Sequence, residues 1–258
     1  MDVNGGNRYG LRYLNNELKS HDLPVYMEAD SLMKVPTKER ESLLDSFVNY
    51  TERSFSENAL ESKLDKDSYK MTMAVLNNLK MSIEFNRANP LTITKKRDQF
   101  MFENVSFLEK NFAPEGSSIF LWAHNGHIRK QGASFLFKPV GHFLHEEYGQ
   151  QYMAIALDFM VGKAYALGEV TITPEDNSNK SFIGNYLKRD TGGIQFINLN
   201  QKVKFLNGKA MDWPSSFRLH NYTINKGMEK YAKDDFDALL VLDRVTSIYD
   251  YKNSVYDK

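Results

Sequence analysis

The apolar run at residues 119–123 and the His-Asn-Gly-His turn that follows at residues 124–127 restrict the possible folds of this chain more than any other feature. A run that is short, dense and apolar is typical of a strand buried on both faces in a parallel sheet. Ligands bind beyond the carboxyl ends of the strands in open α/β sheets, so the two imidazoles are expected to be functional. The alternative is that His124 only caps the strand and His127 only begins the next helix.

Apolar residues at helical spacing predict several helices before this run. The predicted ranges are about residues 9–18, 37–55, 67–88 and 94–112. On the last helix, Arg97 and Asn104 fall near the middle of the apolar stripe, two turns apart, and Glu103 lies at its edge. A buried guanidinium is costly unless a carboxylate or a ligand meets it. Arg97 is therefore expected to reach either a structural carboxylate or a polar cavity.

The second half of the chain predicts further strands. Apolar strands are expected at about residues 152–159, 194–199 and 236–243, a hairpin or edge excursion at 162–173, a helix at 140–148 and a loop at 207–225. This order predicts an α/β fold with a mainly parallel central sheet flanked by helices. Residues 1–258 are expected to form one domain, with a helical cap or subdomain at about residues 37–113.

The first residues have the pattern of a strand end, but the sequence has no residues before them that could form the rest of the strand. Met1-Asp2-Val3 is followed by Asn4-Gly5-Gly6, which fits a strand end and a glycine turn. The fold is therefore expected to be incomplete at its N-terminus. Such a fold has an uncovered sheet edge, which favours self-association.

Composition and missing motifs exclude several kinds of protein. Lys and Arg together number 33, as do Asp and Glu, so nothing indicates a nucleic-acid partner or an anionic membrane surface. The absence of cysteine excludes thiolate chemistry and cysteine-ligated zinc. No run approaches a membrane span and no signal peptide opens the chain. The lack of cysteine fits a cytoplasmic location. The Gly-x-Ser-x-Gly, P-loop and dinucleotide motifs are missing.

Two chemistries remain open for the histidine pair. His-x-x-His can begin a metal site if Asp158 or Asp243 provides a third ligand. Otherwise a neutral imidazole can act as an acid or base on water or a hydroxyl group.

Two motifs resemble those of the erythromycin esterase family. They are Arg97-Asp98-x-x-Met101-x-Glu103-Asn104 and Trp122-Ala123-His124-Asn125-Gly126-His127. Tyr148-Gly149 with Tyr152, and Phe236-Asp237-Ala238-Leu239, resemble the same family.

The resemblance implies a bacterial, metal-independent hydrolase that opens a macrolactone ester with histidine-activated water and needs no cofactor. Response to a macrolide antibiotic is one known role in the family. Catalytic positions would be His124, His127 and Glu103, and substrate-binding positions Arg97, Asn104, Asn125 and Asp2. The family's Gly-Glu-x-x-His-Gly segment, which brings the principal base, has no counterpart in these 258 residues. The chain alone is therefore expected to be impaired or inactive on its small-molecule ester. The alternative is a non-catalytic binding protein with the same fold.

Overall fold

The computed structural model describes residues 3–32, 34–89, 93–132, 137–165, 169–173, 181–186, 193–204, 210–221 and 227–246. The chain divides into two compact units, Met1–Phe120 and Leu121–Lys258. Helices build the first unit, and the second combines strands with short helices. Across the described ranges, no helix has both the length and the apolar character needed to cross a membrane.

The first unit confirms the predicted helices. They are α1 (Val3–Ser20), α2 (Ala29–Leu32), α3 (Thr37–Glu57), α4 (Leu60–Lys63), α5 (Lys66–Arg87) and α6 (Ile93–Phe112). Asp65 begins α5 as its N-cap, because its carboxylate accepts the backbone N–H groups of Asp67 and Ser68, each at 3.0 Å. Helices α1, α3 and α6 all pack against α5. The helical periodicity of the sequence thus corresponds to one helical core around α5.

The N-terminal residues correct one prediction. Helix α1 begins at Val3 and includes Asn4, Gly5 and Gly6, so the predicted strand end and glycine turn are wrong. A helical glycine costs about 1 kcal/mol relative to alanine. Burial of a leucine side chain contributes about 1.5–3 kcal/mol, and Leu11, Leu14 and Leu18 of the same helix are fully buried. Packing of α1 therefore outweighs the local turn signal. Asp2 lies outside the described residues.

Helix α6 buries a different face from the predicted one. Asp98 and Ser106 are buried, whereas Leu108 and Phe112 are exposed, so the apolar stripe is only in part the packed face. Nη2 of Arg97 lies 3.6 Å from Oδ2 of the fully buried Asp98. Of the two expected partners for Arg97, the structure therefore provides a carboxylate on its own helix.

A mixed four-stranded sheet forms the centre of the second unit. The strands of this unit are β1 (Ile155–Tyr165), β2 (Glu169–Ile172), β3 (Ile194–Asn198), β4 (Val203–Lys204), β5 (Ala210–Met211), β6 (Ser216–Asn221), β7 (Gly227–Ala232) and β8 (Ala238–Val245). The sheet order is β2-β1-β8-β3. β1 and β8 pair in parallel, whereas β2 and β3 pair antiparallel with their neighbours. The α/β class is consistent with this sheet, but a mainly parallel arrangement is not confirmed.

The apolar run at residues 119–123 is neither a strand nor buried, so its prediction is wrong. Residues 117–124 form no helix or strand, and 80% of Phe120 and 73% of Trp122 is exposed. A dense apolar run indicates burial only when layers of the fold cover both of its faces. The ladder partners of β1 are β8 and β2, and this run is outside both pairings.

Strand β6 falls where the sequence predicted a loop, and it pairs with β7, which follows that predicted loop. The buried residues Phe217, Leu219 and Tyr231 of this β6–β7 hairpin join the core that also contains Leu239 and Val241 of β8. A buried polar pair connects β6 to β1. Nδ1 of His220 lies 3.0 Å from Oδ1 of Asp158, and the backbone N–H of His220 donates to Oδ2 of Asp158 at 3.0 Å. The hairpin thereby covers one face of the sheet.

Candidate functional site

The His-Asn-Gly-His turn forms a short helix of its own, α7 (Asn125–Ile128), followed along the chain by α8 (Val140–Tyr148). His124 is the N-cap of α7. Its Nδ1 accepts the backbone N–H of Gly126 at 3.1 Å, and its carbonyl oxygen accepts the N–H of His127 at 2.8 Å. The local fold thus places both imidazoles on one turn of chain.

The cap contact determines which nitrogen of His124 holds the proton. A ring nitrogen that accepts a hydrogen bond is unprotonated, so the proton of the neutral ring is on Nε2. Partial burial lowers the pKa of His124 below its ordinary value of 6.5, although the ring remains accessible to solvent. The Glu229 carboxylate opposes this effect, and His127 adds to it. The structure therefore favours a neutral His124 that offers Nε2–H as a donor.

Asn125 attaches the turn to the sheet. Its side-chain Nδ2 donates to the carbonyl oxygen of Leu157 at 2.8 Å, and its Oδ1 accepts the N–H of Leu157 at 3.0 Å. The buried carboxamide thus pairs with β1 as a neighbouring strand would. Asn125, predicted to bind substrate, has both polar groups engaged with the backbone.

Residues from neighbouring segments hold the chain just after the turn. The Tyr152 hydroxyl donates to the carbonyl oxygen of Ile128 at 2.6 Å, and burial, with the nearby Asp237 charge, raises its pKa so that it keeps its proton. Nζ of Lys130 lies 2.6 Å from Oδ1 of Asp237. At Gly141 of α8, a Cβ atom would lie only 2.2 Å from the Ile128 carbonyl oxygen. Only glycine permits this approach.

A buried arginine fixes the end of α7 to the β6–β7 hairpin. Nε and Nη2 of Arg129 bind the two carboxylate oxygens of the fully buried Asp235 at 3.1 and 2.6 Å. The guanidinium carbon also lies 4.9 Å from the centre of the Tyr231 ring, a cation–π distance. Nη1 lies 3.6 Å from Oε1 of Glu229. Buried contacts of Arg129 with Asp235, Glu229 and Tyr231 therefore support the histidine turn.

Three further predicted site residues lie on α6 in the first unit. Arg97 is half-buried beside Asp98, and Oε1 of Glu103 accepts a hydrogen bond from Nε2 of Gln99 at 3.0 Å. Asn104 is also half-buried. The structure thus groups Arg97, Glu103 and Asn104 on one helix.

The carboxylates named as third metal ligands have other partners. Asp158 binds His220, and Oδ2 of Asp243 accepts the Gly193 N–H at 2.8 Å. Among the residues that the structure describes, no three His, Asp or Glu side chains are grouped as metal ligands would be.

Sequence reasoning missed the support residues Arg129, Glu229 and Asp235. About a hundred residues separate Arg129 from the other two, and no motif connects them. The only local signal was that Arg129 follows a candidate catalytic turn.

Comparison with known proteins identifies the family. The model of the erythromycin esterase family matches residues 12–245. The chain belongs to the erythromycin esterase family. The matched span includes both motifs and all the support residues, whereas Asp2 precedes it. No curated protein matches the sequence significantly.

Two solved structures share the fold of this family member at 17% sequence identity. A Bacillus cereus protein has a TM-score of 0.56 and covers 95% of this chain, which in turn covers 64% of that protein. A succinoglycan biosynthesis protein has a TM-score of 0.57, with coverages of 92% and 57%. The chain thus spans less than two thirds of the length of each relative. Family membership suggests a hydrolase-like fold, and Tyr152 and Asp237 hold the chain just after the histidine turn.

Proposed function

We propose that this erythromycin esterase family member hydrolyses a carboxylic ester of the macrolactone type, with the His124–His127 turn as its reactive centre. The observation that carries the proposal is the hydrogen bond from the Gly126 N–H to Nδ1 of His124. It leaves a neutral imidazole whose Nε2–H can donate to an ester carbonyl oxygen. Donors positioned in advance for the developing oxyanion are among the largest contributions to acyl-transfer catalysis.

The two imidazoles divide the work in this proposal. His127 disfavours protonation of His124, which keeps His124 available as a neutral donor. His124 polarises the carbonyl, while His127 takes a proton from the water whose oxygen attacks the carbonyl carbon. The bond from that carbon to the alcohol oxygen then breaks, and the proton on His127 passes to the leaving alcohol. The products are a carboxylic acid and an alcohol.

Residues of helix α6 complete the proposal. Arg97 and Asn104 bind the substrate, with Arg97 stabilising the oxyanion or orienting a substrate carboxylate, and Glu103 assists the acid–base chemistry. These roles are supported by the position of the three residues in the motif that resembles the family's. Asn125 contributes by holding the turn on β1. Asp2 stays a predicted substrate contact.

Hydrolysis at high enzyme concentration tests this function. The 258 residues contain no Gly-Glu-x-x-His-Gly segment, so we expect slow turnover of aryl esters and macrolactones by this chain, followed by mass spectrometry for the addition of water. His124→Ala should lower the rate about 10²–10³-fold through loss of a carbonyl donor. His127→Ala should lower it about 10²–10⁴-fold through loss of a base.

Glu146→Gln is the matched control, because Glu146 is an exposed residue of α8 that pairs with Lys138 and His142. Its turnover should equal that of the unmodified chain. Turnover that survives both histidine substitutions would contradict the proposal. Ester binding that shifts the histidine resonances without product formation would instead establish the binding-protein alternative.

A further inference from the structure

Glu229 of β7 lies beside the histidine turn. A Cβ atom placed on Gly126 would lie 3.9 Å from Oε2 of Glu229 and 3.3 Å from Nδ1 of His124. The carboxylate and the imidazole therefore flank the same point on the turn. The Glu229 side chain is 30% exposed, so it lies at the boundary between the core and solvent.

The strands of the hairpin and the buried arginine determine where this carboxylate lies. Glu229 pairs in register with the buried Leu219 of β6, within the hairpin that contributes to the core of the unit. Oε1 of Glu229 faces Nη1 of Arg129 at 3.6 Å. The other oxygen, Oε2, is the one that approaches Gly126. Oε1 of Glu229 thus faces Arg129, and Oε2 faces Gly126 of the histidine turn.

Arg129 compensates Asp235 more fully than it compensates Glu229. It binds Asp235 through two short contacts at 3.1 and 2.6 Å, and its contact with Glu229 is longer. Coulomb attraction weakens with distance, so the guanidinium acts more strongly on Asp235 than on Glu229. The Glu229 carboxylate therefore still acts on His124, whose protonation it favours.

Several groups act on the charge of His124. His127 on the same turn disfavours its protonation, as does partial burial, and Glu229 on β7 favours it. Arg129, which follows the turn, is already paired with Asp235. Glu229 is thus the group through which β7 acts on the imidazole pair.

We propose that Glu229 is a positioning residue of the candidate site: held by Arg129 beside Gly126, it supplies negative charge that favours the protonated form of His124. This inference rests on the proposed function only for its role in the reaction. In the reaction, the carboxylate stabilises positive charge that develops at the histidine turn. Its Oε1 contact keeps it at that place without contact with the substrate.

Titration of the histidine ring resonances by NMR tests this assignment without an activity measurement. His124→Gln identifies the His124 signal by its loss. In Glu229→Gln the side chain keeps its shape and loses its charge, so the pKa of His124 should fall. Glu229→Asp keeps the charge but withdraws it by one methylene, so it should cause a smaller fall. In assays of the slow turnover, the pH at which the rate reaches half of its maximum should also fall.

The control is again Glu146→Gln. Oε1 of Glu146 lies 3.1 Å from Nε2 of His142, so this variant should move the His142 signal and leave the His124 titration unchanged. A folded Glu229→Gln variant with an unchanged or raised pKa of His124 would overturn the proposal. If that variant does not fold, Glu229→Asp decides by the same criterion. Loss of the proposed esterase function alone would leave these titrations as they are.

Discussion

Replacement of Asp235 by alanine probes the support of the histidine turn at its most buried point. Asp235 is fully buried and accepts four hydrogen bonds: two from Arg129 and one each from the backbone N–H groups of Gln131 and Ala232. Among the described residues, the substitution leaves the buried guanidinium with Glu229, at 3.6 Å, as its remaining carboxylate partner. Breaking a buried ion pair from one side costs about 3–5 kcal/mol. We expect Asp235→Ala to lower the free energy of unfolding by that amount.

Urea denaturation followed by tryptophan fluorescence measures this loss within the second unit. Both tryptophans belong to that unit, with Trp213 buried in its core and Trp122 exposed. A Trp122→Phe background therefore leaves Trp213 as the single reporter. The double variant Arg129→Met, Asp235→Ala removes both charges, so it should recover part of the loss, with a coupling energy of about 0.5–3 kcal/mol.

The exposed pair of Lys138 and Glu146, 3.5 Å apart in the same unit, provides the comparison. Exposed ion pairs contribute about 0–1 kcal/mol, so Glu146→Ala should change stability by no more than that. An Asp235→Ala loss no larger than the Glu146→Ala loss would refute the view that Arg129 and Asp235 fix the turn.

Further outcomes follow from the same contacts. Gly141→Ala should destabilise the second unit by about 1–3 kcal/mol in urea and lower turnover, since its Cβ would collide with the Ile128 carbonyl oxygen at 2.2 Å; an unchanged midpoint would contradict this. Asn125→Ala removes two hydrogen bonds to Leu157 and should cost about 1–3 kcal/mol in the same assay. The pKa of His124 is below its ordinary value of 6.5 in the folded chain, so unfolding takes up a proton at pH values between the folded-state pKa and 6.5. The free energy of unfolding therefore rises with pH in that range. His124→Gln should flatten this rise, which urea midpoints measured across the range would show. Finally, 59% of Phe196 on the edge strand β3 is exposed, so we expect the chain to self-associate. Phe196→Ser should reduce this association in sedimentation velocity, and a monomeric unmodified chain would contradict the expectation.

The helices were predictable because the information that specifies them is local. In α5, the apolar residues Leu76, Leu79 and Ile83 lie at helical spacing within one stretch of sequence, and Asp65 caps the start of the same stretch. The His124–His127 turn was likewise recognisable as a motif. Hydrogen bonds within the turn, such as that from Gly126 to His124, involve neighbours in the sequence.

Contacts between distant residues determined the rest. The run at residues 119–123 has the composition of a buried strand, yet Trp122 is exposed because burial depends on which layers of the fold cover it. The support of the turn joins Arg129 to Asp235 across 106 positions, and Glu229 reaches Gly126 only through the β6–β7 hairpin. The sequence by itself determined the helices and the histidine turn, since each depends on neighbours in the chain. Only the tertiary structure decided which charges surround the imidazoles, because electrostatic interactions depend on distances in space.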